Sequence, residues 1–572
     1  MPNVFISDKR GNDNNPGTKS QPWASSQKVH GQSFGADSHV LYASDHDEFR
    51  IATQANSGHV NMDNVRSTNP LLPVIISYYE PAGSGSDRPT FALYYTPAAN
   101  EWAWDETWNA WKYIFPTGIY PSPDTSVFFG PARLHGTSVW QDHQLNPLFG
   151  DLQWGTNTNY GSIREIYVYA PPDEDPTTYY GEIRLCPNAR GFFQTAWQGM
   201  QNTLFEGIAF KEGGTGIVVS VSGGAGAHTG LRLKYCRGER APLFSMYSGE
   251  SAAHQFSTYK CEGYDLPSGL IKGGQNAGTY SYTIDGTYID GCNKQKSAMA
   301  GVYMQTACAN MWDGVVKHSH IKNAWNGTGT ELGAGYGCPF DGCGIYFDLG
   351  ADKNVAYANL VEHSHVGYQT NSCKQVLLIA NVALDCNLFS TSTDAGAVGS
   401  NDVAIINNSY LNRLTSVNDV KHGVTTPLYA AISNWYEVTT SSFITVVNNA
   451  LYRQYIDDGI SETIRVERNA TSLVEGNAVS GWSAAMKAIR NAYSGTPSGK
   501  LDITSTAISV IGSGDTYFKN EACLIASPSP LKGAGKLYQQ GQRDKRGYLY
   551  GVPASIGAYE FDALNTYDGF LI

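Results

Sequence analysis

Two carboxylates stand close together in the stretch PFDGCGIYFD, Asp341 in its loop half and Asp348 at its end. Acids at such a separation suit glycosidic hydrolysis, in which one protonates the leaving oxygen while the other attacks the sugar or activates water. Asp348 closes GIYFD, a strand by its β-branched and aromatic content, and Asp341 lies in the loop entering that strand. Asp394, Glu250 and Glu331 are the other acids from which Asp348 could draw a partner. β-Elimination needs different groups, a base and a cation to neutralise a uronate carboxylate. Lys272, His363, His365 and Tyr346 are placed for that, with His365 or Lys272 as the base. One Lys and no Arg at these positions is a poor complement to a polyanion, so hydrolysis is the expected reaction. Asp341, Asp348 and Asp352 together would offer oxygen ligands to calcium, and no other cofactor or metal is expected. His318/His320 and His363/His365 are spaced at i and i+2, on one face if each pair lies in a strand. Solvated or hydrogen-bonded histidines are the more usual outcome of such a pair.

A recurring unit positions these residues. From about residue 204 a β-rich run, a polar or Asn turn and an apolar–polar–small triplet repeat as LFEGIAF, LKYCRG, STYKCEG, DGTYIDG, KHSHIKN, YANLVEH, IANVALD, INNSYLNR, VNNALYR, EGNAVSG and TSTAISV. Aligned on one apolar position these give Phe210, Cys236, Cys261, Ile289, Ile321, Val361, Leu384, Leu411, Leu451, Val479 and Ile508. The successive separations are 26, 25, 28, 32, 40, 23, 27, 40, 28 and 29 residues. That is one coil of a solenoid with loops of variable length on one edge. Asn at the turns can form a ladder from coil to coil, and no long 3.6-period segment argues for helical repeats. The expected fold is all-β, a right-handed parallel β-helix solenoid of about 11 or more coils with a β-rich insertion.

Each coil then supplies a second short strand: GIVVS, LFSMY, GLIKG, GVYMQ, GIYFD, GYQTN and NLFST. Period-two alternation sends Ile217, Val219, Phe244, Met246, Leu270, Val302, Met304, Ile345 and Phe347 inward, with Lys272 an exception that must bend outward or find a partner. One outward ladder runs Val218, Ser245, Ile271, Tyr303, Tyr346, Gln369, Phe389. The other runs Ser220, Tyr247, Gly273, Gln305, Asp348, Asn371, Thr391. Exposed tyrosines beside amides and a carboxylate suit a carbohydrate chain, because aromatic faces pack on sugar C–H faces while amides bond hydroxyls. Tyr303, Gln305, Tyr346, Gln369, Asn371, Tyr247 and Lys272 are the expected substrate contacts.

Composition agrees. Only 16 % of the 572 residues are charged, while 61 Gly, 36 Tyr and 12 Trp point to a β protein with many tight turns. A net charge of −12 argues against nucleic acid. No apolar run is long enough to span a membrane, and the start MPNVFISDKR has no apolar signal core. The ten Cys follow no CxxC spacing, and several occupy apolar positions of the repeat, so buried free thiols are expected. At the N-terminus, Val4-Phe5-Ile6 reads as a strand and GNDNNPG as an elaborate turn.

The strand followed by GNDNNPGTKSQPW resembles the opening segment of right-handed parallel β-helix carbohydrate-active proteins, which are pectate-lyase-like and include bacteriophage tailspike depolymerases. PLLPVIISYYEPAGSGSDRP looks like their first-coil segment, and SPLKGAG…RDKRGYLYGVPASIGAYEF resembles their closing segment. The resemblance implies a cap over the first coil, although ASSQKVHGQSF is a poor amphipathic helix. It also implies residues 1–96 as cap and first coils, 184–515 as the β-helix and 516–572 as the closing segment. Residues 97–183, rich in Trp and Tyr, fall outside it as a β insertion, expected to pack on the early coils or to wall a glycan site. GIYFD is similar to GIWLD-type strands whose Asp is a nucleophile. There the next coil supplies a Glu acid, and Gln369 stands at that position here. What the resemblance implies is a protein that binds and cleaves polysaccharide, a homotrimer of the virion tail if tailspike-like, or else a secreted enzyme. A polysaccharide lyase and a non-catalytic glycan-binding adhesin or tail protein are the rival readings.

Overall fold

The computed structural model describes the chain from Asn3 to Val510 apart from segments between strands, the longest being 325–341, 413–431 and 491–507. The expected closing segment 516–572 lies outside the described residues. The chain gathers into two units, Met1–Tyr282 with Thr287–Tyr303 and Asn326–Pro339, and Thr283–Gly286 with Met304–Trp325 and Phe340–Ile572. Each unit is a parallel β-helix whose coils contribute one strand to each of three sheets. In the first unit, sheet 1 runs Val4–Ile6, His39–Ala43, Val74–Tyr79, Thr203–Glu206, Leu231–Lys234, Ala253–Tyr259, all parallel. In the second unit, sheet 3 runs Cys343–Asp348, Val366–Asn371, Leu388–Thr393, Ile432–Asn434, Ile464–Val466, Ile489–Arg490, again all parallel.

In nine coils sheet 1 passes into sheet 2 through a single left-handed residue. In the first unit these are Gly207, Tyr235 and Lys260, and in the second Gly286, His318, Ala358, Ala380, Asn407 and Asn448, with φ between 47° and 68°. The residue after the turn faces inward and meets carbonyl groups that water cannot reach, so it must donate a hydrogen bond or be apolar. Cys236 and Cys261 fill this position with thiols on the Phe205 and Leu233 carbonyls, at 3.4 and 3.7 Å. In the second unit the position becomes the expected amide ladder. Asn359 N–H donates to Asn381 Oδ1 at 3.0 Å, Asn381 N–H to Asn408 Oδ1 at 2.8 Å, and Asn408 N–H to Asn449 Oδ1 at 2.9 Å. The seven described cysteines (186, 236, 261, 292, 343, 373 and 386) are free and buried, as expected; the other three lie outside the described residues.

The sheet 2 column is real, but its register differs from the sequence alignment in places. Phe210 pairs with Gly238, Gly238 with Gly263 and Gly263 with Ile289. Cys236 and Cys261 therefore sit two residues before the column. In the second unit the column runs Ile321, Val361, Ala383, Tyr410, Leu451, Val479, Val510. Leu384 instead pairs with Glu362 and Leu411, and Ile508 with Asn477.

Residues 97–183 leave the solenoid between two adjacent coils: Val74–Tyr79 is hydrogen-bonded directly to Thr203–Glu206. They build antiparallel sheets, Ile183–Cys186 on Ser126–Phe129 and Glu165–Val168 on Ala110–Ile114. Trp102, Tyr113, Phe115, Phe129, Trp154 and Ile166 form part of a core of their own. An ionic knot ties this module to the coils. Buried Glu212, at a second left-handed turn (φ 48°), pairs with Arg133 and Arg184 of the module and with Arg240 of the next coil. At the N-terminus, Asp13 of GNDNNPG accepts from Ala24 N, Ser25 N and Ser25 Oγ at 2.9, 2.9 and 2.7 Å. Trp23 N–H donates to Phe5 O at 2.9 Å, and only a 3-10 turn, Ser26–Val29, follows.

Candidate functional site

All seven short strands read from the sequence exist and belong to sheet 3. In the second unit Tyr346 pairs with Gln369 and Asp348 with Asn371, the expected ladder neighbours. Asn371 Nδ2 donates to Asp348 Oδ1 at 2.7 Å and lies 3.4 Å from the Tyr346 hydroxyl. Ser372 Oγ approaches Asn371 Oδ1 at 3.3 Å, and Cys343 Sγ meets Gln369 Oε1 at 2.5 Å. A carboxylate, a phenol and the Asn371 amide are thus drawn into one hydrogen-bonded patch, beside a separate Cys343–Gln369 contact, and the Asn371 amide fixes the orientation of the Asp348 carboxylate.

The patch is buried, not exposed as the ladder suggested: Tyr346 retains 6 % of its surface, Asp348 5 %, Gln369 1 % and Asn371 8 %. Alternation along a strand decides which face a side chain takes, but not whether that face is covered. Phe389 is also corrected. It is fully buried and packs on Tyr368 (ring centroids 5.1 Å apart), while Thr391 pairs with Gln369. In the first unit Ile271 pairs with Phe244, so Lys272 pairs with Ser245 on the outward ladder and is partly exposed. The apparent exception at Lys272 is a one-residue register difference, with Leu270 buried at the preceding corner. The register also carries a signal that sequence reasoning missed: Ser433 pairs with Arg465 and Arg465 with Arg490, on the ladder of Tyr346, Gln369 and Thr391. The repeated Ile-Arg of TIRV and AIRN was its trace in the sequence.

Asp341 and His365 lie outside the described residues, as do Asp394, Glu250 and Glu331. Tyr303 and Gln305 fall on strand Ala300–Gln305 and Tyr247 on Phe244–Ser248, where only the backbone is described. The histidine pairs do not act as pairs where described. His318, at a left-handed turn, meets Asp285 at 3.0 Å, and His320 Nε2 lies 2.7 Å from Glu362. That hydrogen bond holds the Glu362 carboxyl below its usual range. His363, also left-handed, lies 3.4 Å from Asp385. Asp352 accepts from Lys374 N at 2.6 Å, and burial raises its pKa. Among the described residues no three His, Cys, Asp or Glu side chains converge as metal ligands.

No family model matches the chain, and none of the curated proteins does. Solved structures similar to it include XylC in complex with xylose, at 10 % identity over 86 % of this chain and 85 % of that one, TM-score 0.48. A glycoside hydrolase matches at 12 % identity over 76 % and 96 %, TM-score 0.40. The GH136 lacto-N-biosidase from Eubacterium ramulus matches at 10 % over 82 % and 68 %, TM-score 0.38.

Proposed function

We propose that this chain binds and cleaves a polysaccharide by glycosidic hydrolysis, with Asp348 as the reacting carboxylate. The observation that carries the reading is the Asp348–Asn371 hydrogen bond of 2.7 Å, buried beside Tyr346. A carboxylate oriented by an amide and shielded from water acts strongly on positive charge developing at a sugar carbon. Asp341 is the proposed acid–base partner, with Gln369, Tyr346 and Asn371 holding the sugar. Gln305 is a further proposed sugar contact of the second unit, and Tyr247, Lys272 and Tyr303 are proposed as sugar contacts of the first unit by itself. A tailspike-like trimer acting on cell-surface glycan is the setting we propose, with a secreted enzyme as the alternative.

The Arg465–Arg490 register favours a second reading, elimination on a uronate-bearing chain, with His365 as base. The test is product analysis on a polysaccharide panel. Hydrolysis predicts saturated oligosaccharides and a loss of turnover of about a hundredfold or more in Asp348→Asn, with binding retained. Products with a C=C bond that absorbs in the ultraviolet would select elimination. Full activity in Asp348→Asn would remove that residue from the mechanism. Binding to a glycan that the wild type never cleaves would leave an adhesin.

A further inference from the structure

The first unit carries a cleft that the Asp348 reading does not use. It has a volume of about 820 Å³ and opens at the turn between sheets 1 and 2. Three consecutive coils build it. Tyr78 is the penultimate residue of the strand Val74–Tyr79, Gly207 follows Thr203–Glu206, and Tyr235 follows Leu231–Lys234. Gly207 N–H bonds Lys234 O at 3.0 Å, which sets its coil against the Tyr235 coil. Tyr78 and Tyr235 are 38 % and 37 % exposed, large for aromatic side chains on adjoining coils. Gly207 has φ +68°, and a Cβ there would stand 2.5 Å from the Tyr78 ring. Bare backbone at that point is what lets the ring of Tyr78 lie down on the middle coil.

The polar groups around the tyrosines are mixed in sign. Lys19, Arg88, Glu80 and Glu206 all line it, two cations and two anions. Glu206 is already engaged by Lys234 at 3.2 Å and Arg88 lies 3.6 Å from Glu262. A cleft with no net charge does not select a polyanion. The Tyr78 ring lies on the Gly207 backbone, and the Tyr235 ring has Lys234 Nζ 5.0 Å from its centroid and Tyr259 edge-on at 5.7 Å. Rimmed by carboxylate, ammonium and guanidinium groups, these rings match the two kinds of surface on a neutral sugar ring. The C–H faces stack on aromatics and the hydroxyls take hydrogen bonds from the rim.

We infer that the Tyr78–Gly207–Tyr235 cleft is a binding site for a neutral oligosaccharide. Its occupancy is read by binding alone, so it stands or falls separately from Asp348 and from any turnover. The experiment is calorimetric titration of the full chain with cello-, xylo- and malto-hexaose and with hexagalacturonate, at two salt concentrations. At least one neutral hexaose should bind with little salt dependence. Tyr78→Ala and Tyr235→Ala should each weaken it about tenfold or more, while Leu134→Ala, at an exposed position outside both sites, leaves it unchanged. Tyr235→Phe should retain most of the affinity, because the aromatic face survives. Absence of binding by every neutral hexaose overturns the inference, as does binding that Tyr235→Ala leaves intact. Binding of hexagalacturonate alone would overturn the neutral class. Loss of the signal in Tyr346→Ala but not Tyr235→Ala would move the saccharide to the other site.

Discussion

Replacing Asn381 with Ala tests the amide ladder at its most connected rung. Its Oδ1 accepts from Asn359 N and Nδ2, both at 3.0 Å, and its Nδ2 donates to Ala356 O at 2.8 Å and Asn408 Oδ1 at 3.2 Å. Some of these partners survive the change. Asn359 Nδ2 still donates to Val316 O at 2.9 Å, and Asn408 Oδ1 still accepts Asn381 N at 2.8 Å. The Asn359 N–H loses Asn381 Oδ1 as its acceptor, in a residue with no exposed surface. One orphaned buried donor costs about 1–3 kcal/mol, and a weakened Ala356 carbonyl about 1 more. The expected loss is thus about 3 kcal/mol, measured by urea unfolding followed by circular dichroism. Hydrogen exchange should quicken first in the coils holding Asn359 and Asn408. Asn381→Asp keeps the acceptor for Asn359 but buries a charge, so it should cost at least as much. A loss below about 0.5 kcal/mol, the scale of an ordinary surface change, would refute the idea that the ladder bears on stability.

Burial depresses the pKa of His254 to about 4. The unfolded chain takes up that proton near its ordinary value of 6.5, so stability is full above pH 6.5 and falls between there and pH 4. The loss is on the order of 3 kcal/mol, and His254→Gln should flatten the denaturation curve in that window; parallel curves would refute it. Glu212→Gln removes the shared anion of Arg133, Arg184 and Arg240 and should cost about 3–5 kcal/mol, read as faster proteolysis within 97–183 than in the coils. A Cβ on Gly238 would meet Ala241 O at 2.3 Å, whereas one on Gly263 meets only Leu266 and Leu270 methyls at 2.9–3.2 Å. Gly238→Ala should therefore destabilise by about 3 kcal/mol and Gly263→Ala by about 1, with equal melting shifts as the refuting result.

The strands and their order were legible in the sequence because apolar alternation and Asn turns repeat. Register was not, wherever both faces of a strand are buried. Val382, Ala383 and Leu384 are all buried, so a search for the best apolar residue chooses Leu384 over the true column member, Ala383. Gly238 and Gly263 hide the column differently. Leu270 fills the space beside them, and the eye goes to Cys236 and Cys261 instead. For the candidate site, Asp348, Tyr346, Gln369 and Asn371 were found as neighbours, because their strands align without an offset change. Their burial could be read only as an alternative, from the long loops after Ile321 and Leu411, since nothing in alternation encodes what lies over a face. Arg465 and Arg490 were missed because their coils carry weaker repeat signals than GIYFD and GYQTN.

The excursion of residues 97–183 bears on how the chain is made. Ser77 Oγ donates to Glu206 O at 3.0 Å across 129 residues of sequence. On a ribosome, the third strand of sheet 1 therefore waits for a neighbour that emerges much later. With an unstructured excursion, closing that gap would carry the entropy of a very long loop. Because the module has an antiparallel core of its own, it can fold while the chain is still being synthesised. The two edges of the solenoid are then brought together by a compact body with fixed ends. The waiting edge of Val74–Tyr79 would otherwise invite pairing with another nascent chain. The early-folding module shortens the interval in which that can happen.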